Sequence, residues 1–257
     1  MNQEKRRLIL IQSLLHENPL YKSIQIPQDE KEQKQLLRSL MNIREASPIS
    51  LKFQKIQDEY LQEENKNRGI IKLSSLNQIQ KDIYLWRGDI TRLECQAIVN
   101  AANSGMTGCY QPCHNCIDNC IHTYAGIQLR NYCNDLMVTQ GHEEPIGSAK
   151  ITPAFNLPCR FIIHTVGPIV QGQLTNQHCQ QLRSCYRACL ELADAYHIQS
   201  IAFCCISTGV FMFPNEKAAE IAIHTVKDYK AETGSRIEVL FNVFKKQDEQ
   251  IYRKLLG

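Results

Sequence analysis

Short β-rich runs alternate with segments of helical periodicity from about Ile70 to the C-terminus, and this alternation constrains the fold more than any other feature of the chain. Strands are predicted at 83–86, 97–100, 160–164, 201–205 and 237–244, and helices near 117–130, 178–196 and 215–233. Alternation of this kind predicts a layered α/β domain with a mostly parallel central sheet. The loops at the carboxyl ends of the strands are then expected to form the site.

The N-terminal part of the chain has a different pattern. Apolar stripes within 8–15, 36–41 and 53–60 predict three amphipathic helices. We therefore expect a helical extension over 1–69 and a main domain over 70–257. The extension carries no recognisable chemistry, so its expected role is to pack on the main domain or on a partner; a substrate-recognition surface is the alternative.

Composition narrows the class of protein. Hydrophobic residues make up 43% of the chain and charged residues 21%, which is typical of a globular protein and not of a disordered one. A net charge of +3, from 29 basic and 26 acidic residues, does not favour binding to nucleic acid or to a membrane. The 12 cysteines lie in apolar segments of a long chain, which indicates reduced thiols in a cytoplasmic protein. Cys204 and Cys205 are expected to pack inside the strand at 201–205.

A cluster of metal ligands follows the predicted strand at 97–100. Cys109, Cys113, His114 and Cys116 fall within eight residues, and thiolate and imidazole donors favour zinc. Three donors would leave one position open for water or substrate, as in catalytic sites, whereas four would close a structural site. Cys113 and His114 are adjacent and cannot easily both face one ion from a short loop, but a set that includes Cys113 stays open.

Several motifs resemble those of the macrodomain family, the ADP-ribose-binding α/β modules. They are Gly88-Asp-Ile-Thr91, the run Ala97-Ile-Val-Asn-Ala-Ala-Asn103-Ser-Gly, Gly167-Pro, Ser207-Thr-Gly-Val-Phe211 and Pro214. The resemblance implies a three-layer α/β/α fold with a mostly parallel, mixed sheet. The insertion with Cys109, His114 and Cys116 resembles that of the zinc-dependent subgroup of microbial protein-ADP-ribosyl hydrolases, which also carry a helical N-terminal extension.

The resemblance implies roles for residues that would bind the nucleotide. Asp89 would accept a hydrogen bond from the adenine amine, Ile90 would contact the base through its backbone, and Asn103 would bind a ribose. The loop that would surround the diphosphate consists of Ser207, Thr208, Gly209, Val210 and Phe211, followed by a helix start that favours anions. Asp89 and Asn103 could instead be turn residues, and Phe211 could pack under the loop.

The resemblance also implies a reacting centre. Asp118 would handle a proton or orient the substrate with Asn103, and Cys116 and Ile117 would add contacts to the substrate. The implied metal ligands are Cys109, His114 and Cys116, with Zn²⁺ as the cofactor. Asp118 also lies where a helix cap would, and both roles can coexist. Cys120 and His122 are expected to be core or supporting residues.

The predicted function is hydrolytic removal of mono-ADP-ribose from protein side chains. In the resembling subgroup this reverses the action of a sirtuin-type ADP-ribosyltransferase on a lipoyl-carrier protein similar to the glycine-cleavage H component, so both are expected partners. Three alternatives stay open: a module that binds ADP-ribose without cleaving it, an O-acetyl-ADP-ribose deacetylase, and a redox-sensing thiol cluster.

Overall fold

Eight α-helices and nine β-strands make up the computed structural model, which describes residues 1–257. The helices are α1 (Gln3–Glu17), α2 (Glu30–Ile43), α3 (Leu51–Asn67), α4 (Ile117–Ala125), α5 (Ile127–Gln140), α6 (Asn176–Ala195), α7 (Asn215–Thr233) and α8 (Lys246–Leu256). The strands are β1 (Ile71–Lys72), β2 (Gln78–Gln80), β3 (Ile83–Arg87), β4 (Leu93–Glu94), β5 (Ala97–Ala102), β6 (Ala149–Pro153), β7 (Phe161–Val166), β8 (Ser200–Phe203) and β9 (Glu238–Val243). No helix combines the length and the apolar character needed to span a membrane.

Seven strands form one mixed sheet in the order β2-β3-β9-β8-β5-β7-β6. The five inner strands are mutually parallel, and the edge strands β2 and β6 are antiparallel to their neighbours. Strands β5 and β8 are buried along almost their whole length because helices cover both faces of a parallel sheet. The predicted α/β fold with a mostly parallel, mixed sheet is confirmed.

The strand order reverses between β5 and β8. The chain leaves β5 through α4 and α5 towards β6 and β7 on one side, whereas it leaves β8 through α7 towards β9 on the other. Connections that diverge in this way open a crevice at the carboxyl ends of the two strands, and ligands of open α/β sheets bind there. The loops after β5 and β8 therefore border the natural site of this fold.

The three N-terminal helices have a core of their own. Each begins at a polar cap, since the side chains of Asn2, Asp29 and Ser50 accept hydrogen bonds from backbone amides in the first turn. Twelve buried apolar residues form this core, and one of them, Ile127, comes from α5 of the main domain. A separate cluster of 48 buried residues fills the main domain. The extension thus packs on the main domain along α4 and α5.

Two predicted elements have different bounds in the structure. The single helix expected near 117–130 is in fact two helices, α4 and α5, which meet at Gly126 with a φ of 101°. A Cβ atom there would lie 2.8 Å from the side chains of Gln57 and Gln128, so the close approach of α3 also requires glycine. The strand expected at 201–205 ends at Phe203, and Cys204 and Cys205 follow it.

Candidate functional site

The predicted site residues lie in loops that follow three parallel strands. Asp89 follows β3, Asn103 follows β5, and the segment 207–211 follows β8. Because these strands are parallel, their carboxyl ends share one edge of the sheet. The α4 helix begins at the same edge and carries Asp118 in its first turn.

Three metal donors converge in the segment 109–116, which we call the donor loop. Cys109 Sγ, one ring nitrogen of His114 and Cys116 Sγ lie within 4.8 Å of one another, and Cys109 Sγ is 3.5 Å from His114 Nδ1. Zinc binds sulfur at ~2.3 Å and imidazole nitrogen at ~2.0 Å, so donors around one tetrahedral ion are roughly 3.5–4 Å apart. Both the chemistry and the spacing of these donors fit Zn²⁺.

Cys113 faces away from this group. Its backbone has a φ of 52°, and its thiol lies 3.2 Å from Ser39 Oγ and 3.4 Å from the Gln35 carbonyl oxygen, both on α2. Its backbone N–H donates to Asn42 Oδ1 at 3.0 Å. The geometry therefore favours the three-donor set over one that includes Cys113.

Cys116 is both a donor and the N-cap of α4. Its sulfur accepts a hydrogen bond from the Asn119 N–H at 3.4 Å, and the positive end of the helix dipole favours a thiolate at this position. Burial raises the pKa of the Cys116 thiol to about 12, and the Asn119 amide opposes that rise. A bound cation would act in the same direction as the amide, because metal coordination deprotonates thiols.

Asp118 is a buried carboxyl group beside the donor loop. Its Oδ1 accepts from Asn100 Nδ2 at 2.8 Å, and its Oδ2 accepts from Asn103 Nδ2 at 3.2 Å. Burial raises the pKa of Asp118 to about 6, while the two amides and the positive charge of Arg130 oppose the rise. A carboxyl group that titrates near neutral pH is suited to general acid–base chemistry.

Asn100 is a site residue that the sequence analysis missed. Its side chain is fully buried in β5 and contacts Asp118 and also His164, at 3.1 Å from the ring Nδ1. The other ring nitrogen of His164 lies 3.0 Å from Thr152 Oγ1. An asparagine in the apolar run Ala97-Ile-Val-Asn-Ala-Ala is a usable signal, because a buried amide needs partners.

His122 lies one turn after Asp118 on α4. Its Nε2 is 3.6 Å from Asp118 Oδ1, and neither ring nitrogen has a hydrogen-bond partner in the protein. Burial lowers the pKa of His122 well below its usual value, so the ring is neutral. The ring also packs against Gly108, where a Cβ atom would lie 2.7 Å from it. His122 thus supports both Asp118 and the start of the donor loop.

Asp89 is engaged within the protein. Its Oδ1 accepts from the Thr91 N–H at 3.0 Å, which caps a 3₁₀ turn over Ile90–Arg92, and its Oδ2 forms an ion pair with Arg68. The Arg68 guanidinium also lies 3.5 Å from the ring centre of Tyr124. Arg68 ends α3, so the helical extension contributes directly to the Asp89 region, which the sequence analysis did not predict.

The loop after β8 leaves several backbone amides free. Hydrogen bonds from Phe213 N–H to the Ser207 carbonyl at 3.0 Å and from Met212 N–H to the Gly209 carbonyl at 3.1 Å close the loop. The N–H groups of residues 209–211 donate to no group of the protein. Free, neighbouring amides form an anion-binding concavity. The helix that follows this loop begins at Asn215, as predicted, so the loop amides lie closer to the loop centre than the helix start does.

Close packing supports this loop from below. Ser207 has a φ of 65° and is buried, and its hydroxyl has no hydrogen-bond partner in the protein. Gly167, at the end of β7, lies directly against it, since a Cβ atom there would be 2.1 Å from Ser207 Oγ. Only glycine at position 167 permits this approach.

An exposed aromatic side chain, Phe244, lies at the same edge of the sheet as Asp89. Phe244 follows β9 and is 74% exposed. Val243 pairs with Arg87 of β3, and its carbonyl accepts from the Gly88 N–H at 2.9 Å, so Phe244 lies next to the turn that carries Asp89. The sequence analysis treated Phe244 as a strand residue; an exposed phenylalanine beside a site is a candidate stacking group.

Comparison with known proteins finds similar sequences and structures among macrodomain proteins. The Macro domain family model matches residues 99–222. A protein-ADP-ribose hydrolase of Treponema medium is 58% identical over 261 residues and covers 100% of both chains. A protein of the same name from Staphylococcus aureus (strain MSSA476) is 47% identical over 222 residues, which is 86% of this chain and 83% of that one. The structure of the Oceanobacillus iheyensis macrodomain with ADP aligns with a TM-score of 0.63 at 36% identity and covers 70% of this chain and 93% of that chain.

Proposed function

This chain belongs to the macrodomain family and is a hydrolytic enzyme, and from this premise we propose that it removes single ADP-ribosyl groups from protein side chains with the help of Zn²⁺. The observation that carries the proposal is the convergence of three zinc-type donors beside a buried carboxyl group. Cys116 and Asp118 are two residues apart at the start of α4, so one of the three donors and the carboxyl group are fixed by the same helix turn.

The adenosine end of the substrate would bind at the turn after β3. The carboxylate of Asp89 can accept a hydrogen bond from the adenine amine while it keeps its ion pair with Arg68, because a carboxylate offers about four acceptor positions. Phe244 would stack on the base, and Ile90 would contact it through its backbone. These contacts would fix the nucleotide far from the reacting bond and so help to align that bond.

The diphosphate would bind at the loop after β8. The free amides of Gly209, Val210 and Phe211 are supported as donors by their lack of partners within the protein. The hydroxyl of Ser207, which also lacks a partner, would add another donor, and Thr208 would line the loop. This loop follows β8, which pairs with β5 in the sheet. A diphosphate bound there would direct the distal ribose towards Asn103 and Asp118, which follow β5.

At the reacting centre, Asp118 would orient a water molecule or a ribose hydroxyl and accept a proton from it. Asn100 and Asn103 keep the carboxyl group in a fixed orientation, and Asn103 would also contact the distal ribose. Cys109, His114 and Cys116 would hold Zn²⁺, and Ile117 would line the same side of the crevice. When bound, Zn²⁺ would supply Lewis acidity towards an oxygen of the substrate or of water.

The test compares cysteines inside and outside the donor set. Removal of metal by a chelator, Cys109→Ser and Cys116→Ser are each expected to abolish release of ADP-ribose from a mono-ADP-ribosylated protein. Cys113→Ser is the matched control and is expected to retain activity, because the Cys113 thiol faces α2. Full turnover by the metal-free protein or by the Cys109 variant would refute a role for zinc in catalysis.

Two rival functions give different results in the same assay. A module that only binds the mark would retain ADP-ribose affinity and release none from the modified protein. An O-acetyl-ADP-ribose deacetylase would act faster on the small ester than on the protein. The buried, amide-bound Asp118 beside zinc-type donors favours hydrolysis over binding alone, because a binding module needs neither group.

We further propose a lipoyl-carrier protein similar to the glycine-cleavage H component as the substrate and a sirtuin-type ADP-ribosyltransferase as the enzyme that writes the mark. The support is the combination of the donor loop with a helical N-terminal extension, which resembles the subgroup that acts in this pathway. The test is a comparison of turnover on an ADP-ribosylated lipoyl carrier and on an unrelated ADP-ribosylated protein. Equal turnover rates on the two proteins would contradict the proposal that the lipoyl carrier is the substrate.

A further inference from the structure

We propose that the N-terminal helical extension holds the donor loop in its metal-binding conformation, with Arg38 and Asn42 of α2 as the positioning residues. The inference rests on the proposed function, because it concerns the zinc site proposed above. It gives a structural role in metal binding to the extension, a region in which the sequence shows no chemistry.

Arg38, on α2 of the N-terminal extension, contacts the donor loop directly. Its Nη2 lies 2.7 Å from the carbonyl oxygen of His114, 3.0 Å from Asn119 Oδ1 and 3.7 Å from Cys120 Sγ. The bond to His114 is charge-assisted and therefore stronger than an ordinary hydrogen bond. Because it fixes the backbone of His114, it also limits the positions that the imidazole of this donor can take.

Asn119 extends the effect of Arg38 to the other end of the loop. Its side chain is fully buried, and its Nδ2 donates to the Gln111 carbonyl at 2.9 Å and to the Cys109 carbonyl at 3.3 Å. The backbone N–H of Asn119 donates to the Cys116 sulfur. Arg38 thus fixes one donor residue directly and reaches the two others through Asn119.

Asn42 keeps Cys113 out of the donor group. Its Oδ1 accepts from the Cys113 N–H at 3.0 Å, and its Nδ2 donates to Thr123 Oγ1 at 2.9 Å, which ties the loop to α4. This contact holds Cys113 in its left-handed conformation, with the thiol beside Ser39. The next residue, His114, then faces Cys109, so α2 determines which side chains meet.

The donor loop has too few internal hydrogen bonds to hold its donors in position by itself. Its only internal backbone hydrogen bond runs from His114 N–H to the Gln111 carbonyl at 3.3 Å. An unsupported loop would lose conformational entropy when it binds metal, and outer partners reduce that loss. Removal of such partners typically lowers metal affinity by about 10–100-fold.

The test measures metal affinity in three variants of the full chain. Arg38→Met is expected to weaken Zn²⁺ binding, measured by competition with a chromophoric chelator, by about 10–100-fold. Arg38→Lys keeps the charge but not the fork of donors and is expected to lie between Arg38→Met and the unmodified chain. The matched control is Arg6→Met: Arg6 pairs with Glu59 at 2.9 Å within the same extension and has no contact with the donor loop.

Two further readouts separate positioning from loss of fold. Absorption of Co²⁺ bound to the thiolates should shift in Arg38→Met and stay unchanged in Arg6→Met. Amide hydrogen exchange should become faster at Cys113 and its neighbours in Arg38→Met, while α1 and α3 keep their protection. If Arg38→Met does not fold, the same affinity, absorption and exchange measurements on Arg38→Lys decide the question.

The possible outcomes are distinct. Zn²⁺ affinity and Co²⁺ absorption that are unchanged in both Arg38 variants would overturn the positioning role and leave the zinc proposal intact. An equal loss in Arg6→Met would also overturn it, because general loosening of the extension would then explain the effect. An unmodified chain that binds no Zn²⁺ would refute the proposed zinc site itself.

Discussion

The donor loop follows β5 and the loop at 207–211 follows β8, its neighbour in the sheet, yet the two loops are stabilised in different ways. Side chains from three helices hold the donor loop: Arg38 of α2, Asn119 of α4, and Arg130 of α5, whose Nη2 donates to the Cys109 carbonyl at 3.4 Å. Backbone groups tie the loop after β8: Phe213 and Met212 donate to the Ser207 and Gly209 carbonyls, and the Val170 N–H donates to the Phe211 carbonyl at 2.9 Å.

The difference follows from what each loop would bind. A metal site needs side-chain donors at fixed positions, so rigid supports must come from outside the loop. An anion site made of backbone amides needs N–H groups that remain free, so the loop can be tied only through its carbonyl groups. The predictions below test this contrast between side-chain and backbone sites.

The largest effect is expected for Asp118→Asn, on the donor-loop side. The asparagine can still accept from Asn100, but it cannot take a proton, so turnover should fall by about 10²–10⁴-fold. Stability should change little, since the neutral amide removes the cost of a buried charge but loses the acceptor for Asn103 Nδ2. The measurements are kcat on a mono-ADP-ribosylated protein and the thermal midpoint. Asp135→Asn, an exposed change on α5, is the control, and unchanged turnover in the Asp118 variant would remove this residue from the mechanism.

Asn119→Ala should show how much the donor loop depends on outside side chains. It would remove hydrogen bonds to the carbonyls of Cys109 and Gln111 and to the Arg38 guanidinium, each of which keeps at least one other partner, and we expect a cost of about 1–3 kcal/mol in free energy of unfolding. The measurement is the urea midpoint. Asn131→Ala is the comparison, because Asn131 also bonds the extension, at the Ser47 carbonyl, but in contact with solvent. Equal midpoints for the two variants would contradict the contrast.

Gly209→Ala should act on binding and not on stability. A Cβ atom at Gly209 would meet nothing within 4 Å, and its φ is not positive, so the free energy of unfolding should change by less than about 0.5 kcal/mol. A methyl group beside the free amides should lower ADP-ribose affinity about tenfold, or ~1.4 kcal/mol, by calorimetry. Val210→Ala removes an exposed side chain and should have no effect. Unchanged affinity in the Gly209 variant would place the diphosphate elsewhere.

The inner strands of the sheet and the grouping of Cys109, His114 and Cys116 could both be predicted from the sequence. Strands buried on both faces have apolar sequences, so β3, β5, β7, β8 and β9 were predicted to within two residues at each end. The edge strands β2 and β6 were missed, because Gln78–Gln80 is polar and β6 ends at Pro153; the polar helix α8 was missed as well. The spatial grouping of Cys109, His114 and Cys116 could be predicted because these residues are neighbours in the chain.

The supports of the site could not be predicted, because they depend on contacts between distant segments. Arg38 is 76 residues from His114, and Arg68 is 21 residues from Asp89. No local pattern distinguishes these arginines from others on the surface of a helix. Asn100 is an exception, since a polar residue in a buried strand indicates a partner even before the partner is known.

A small effect on stability, and not a loss, is expected for Ser207→Ala, in the loop after β8. The buried hydroxyl of Ser207 has no hydrogen-bond partner in the protein, so its removal leaves no group unpaired and should leave the free energy of unfolding unchanged or higher by up to about 1 kcal/mol. Asn119→Ala, beside the donor loop, removes an equally buried polar side chain and should destabilise the protein. If the hydroxyl binds the diphosphate, the Ser207 variant should also lose ADP-ribose affinity severalfold. A Ser207 variant that is as destabilised as the Asn119 variant would show that both loops depend on side chains, and the contrast between them would be wrong.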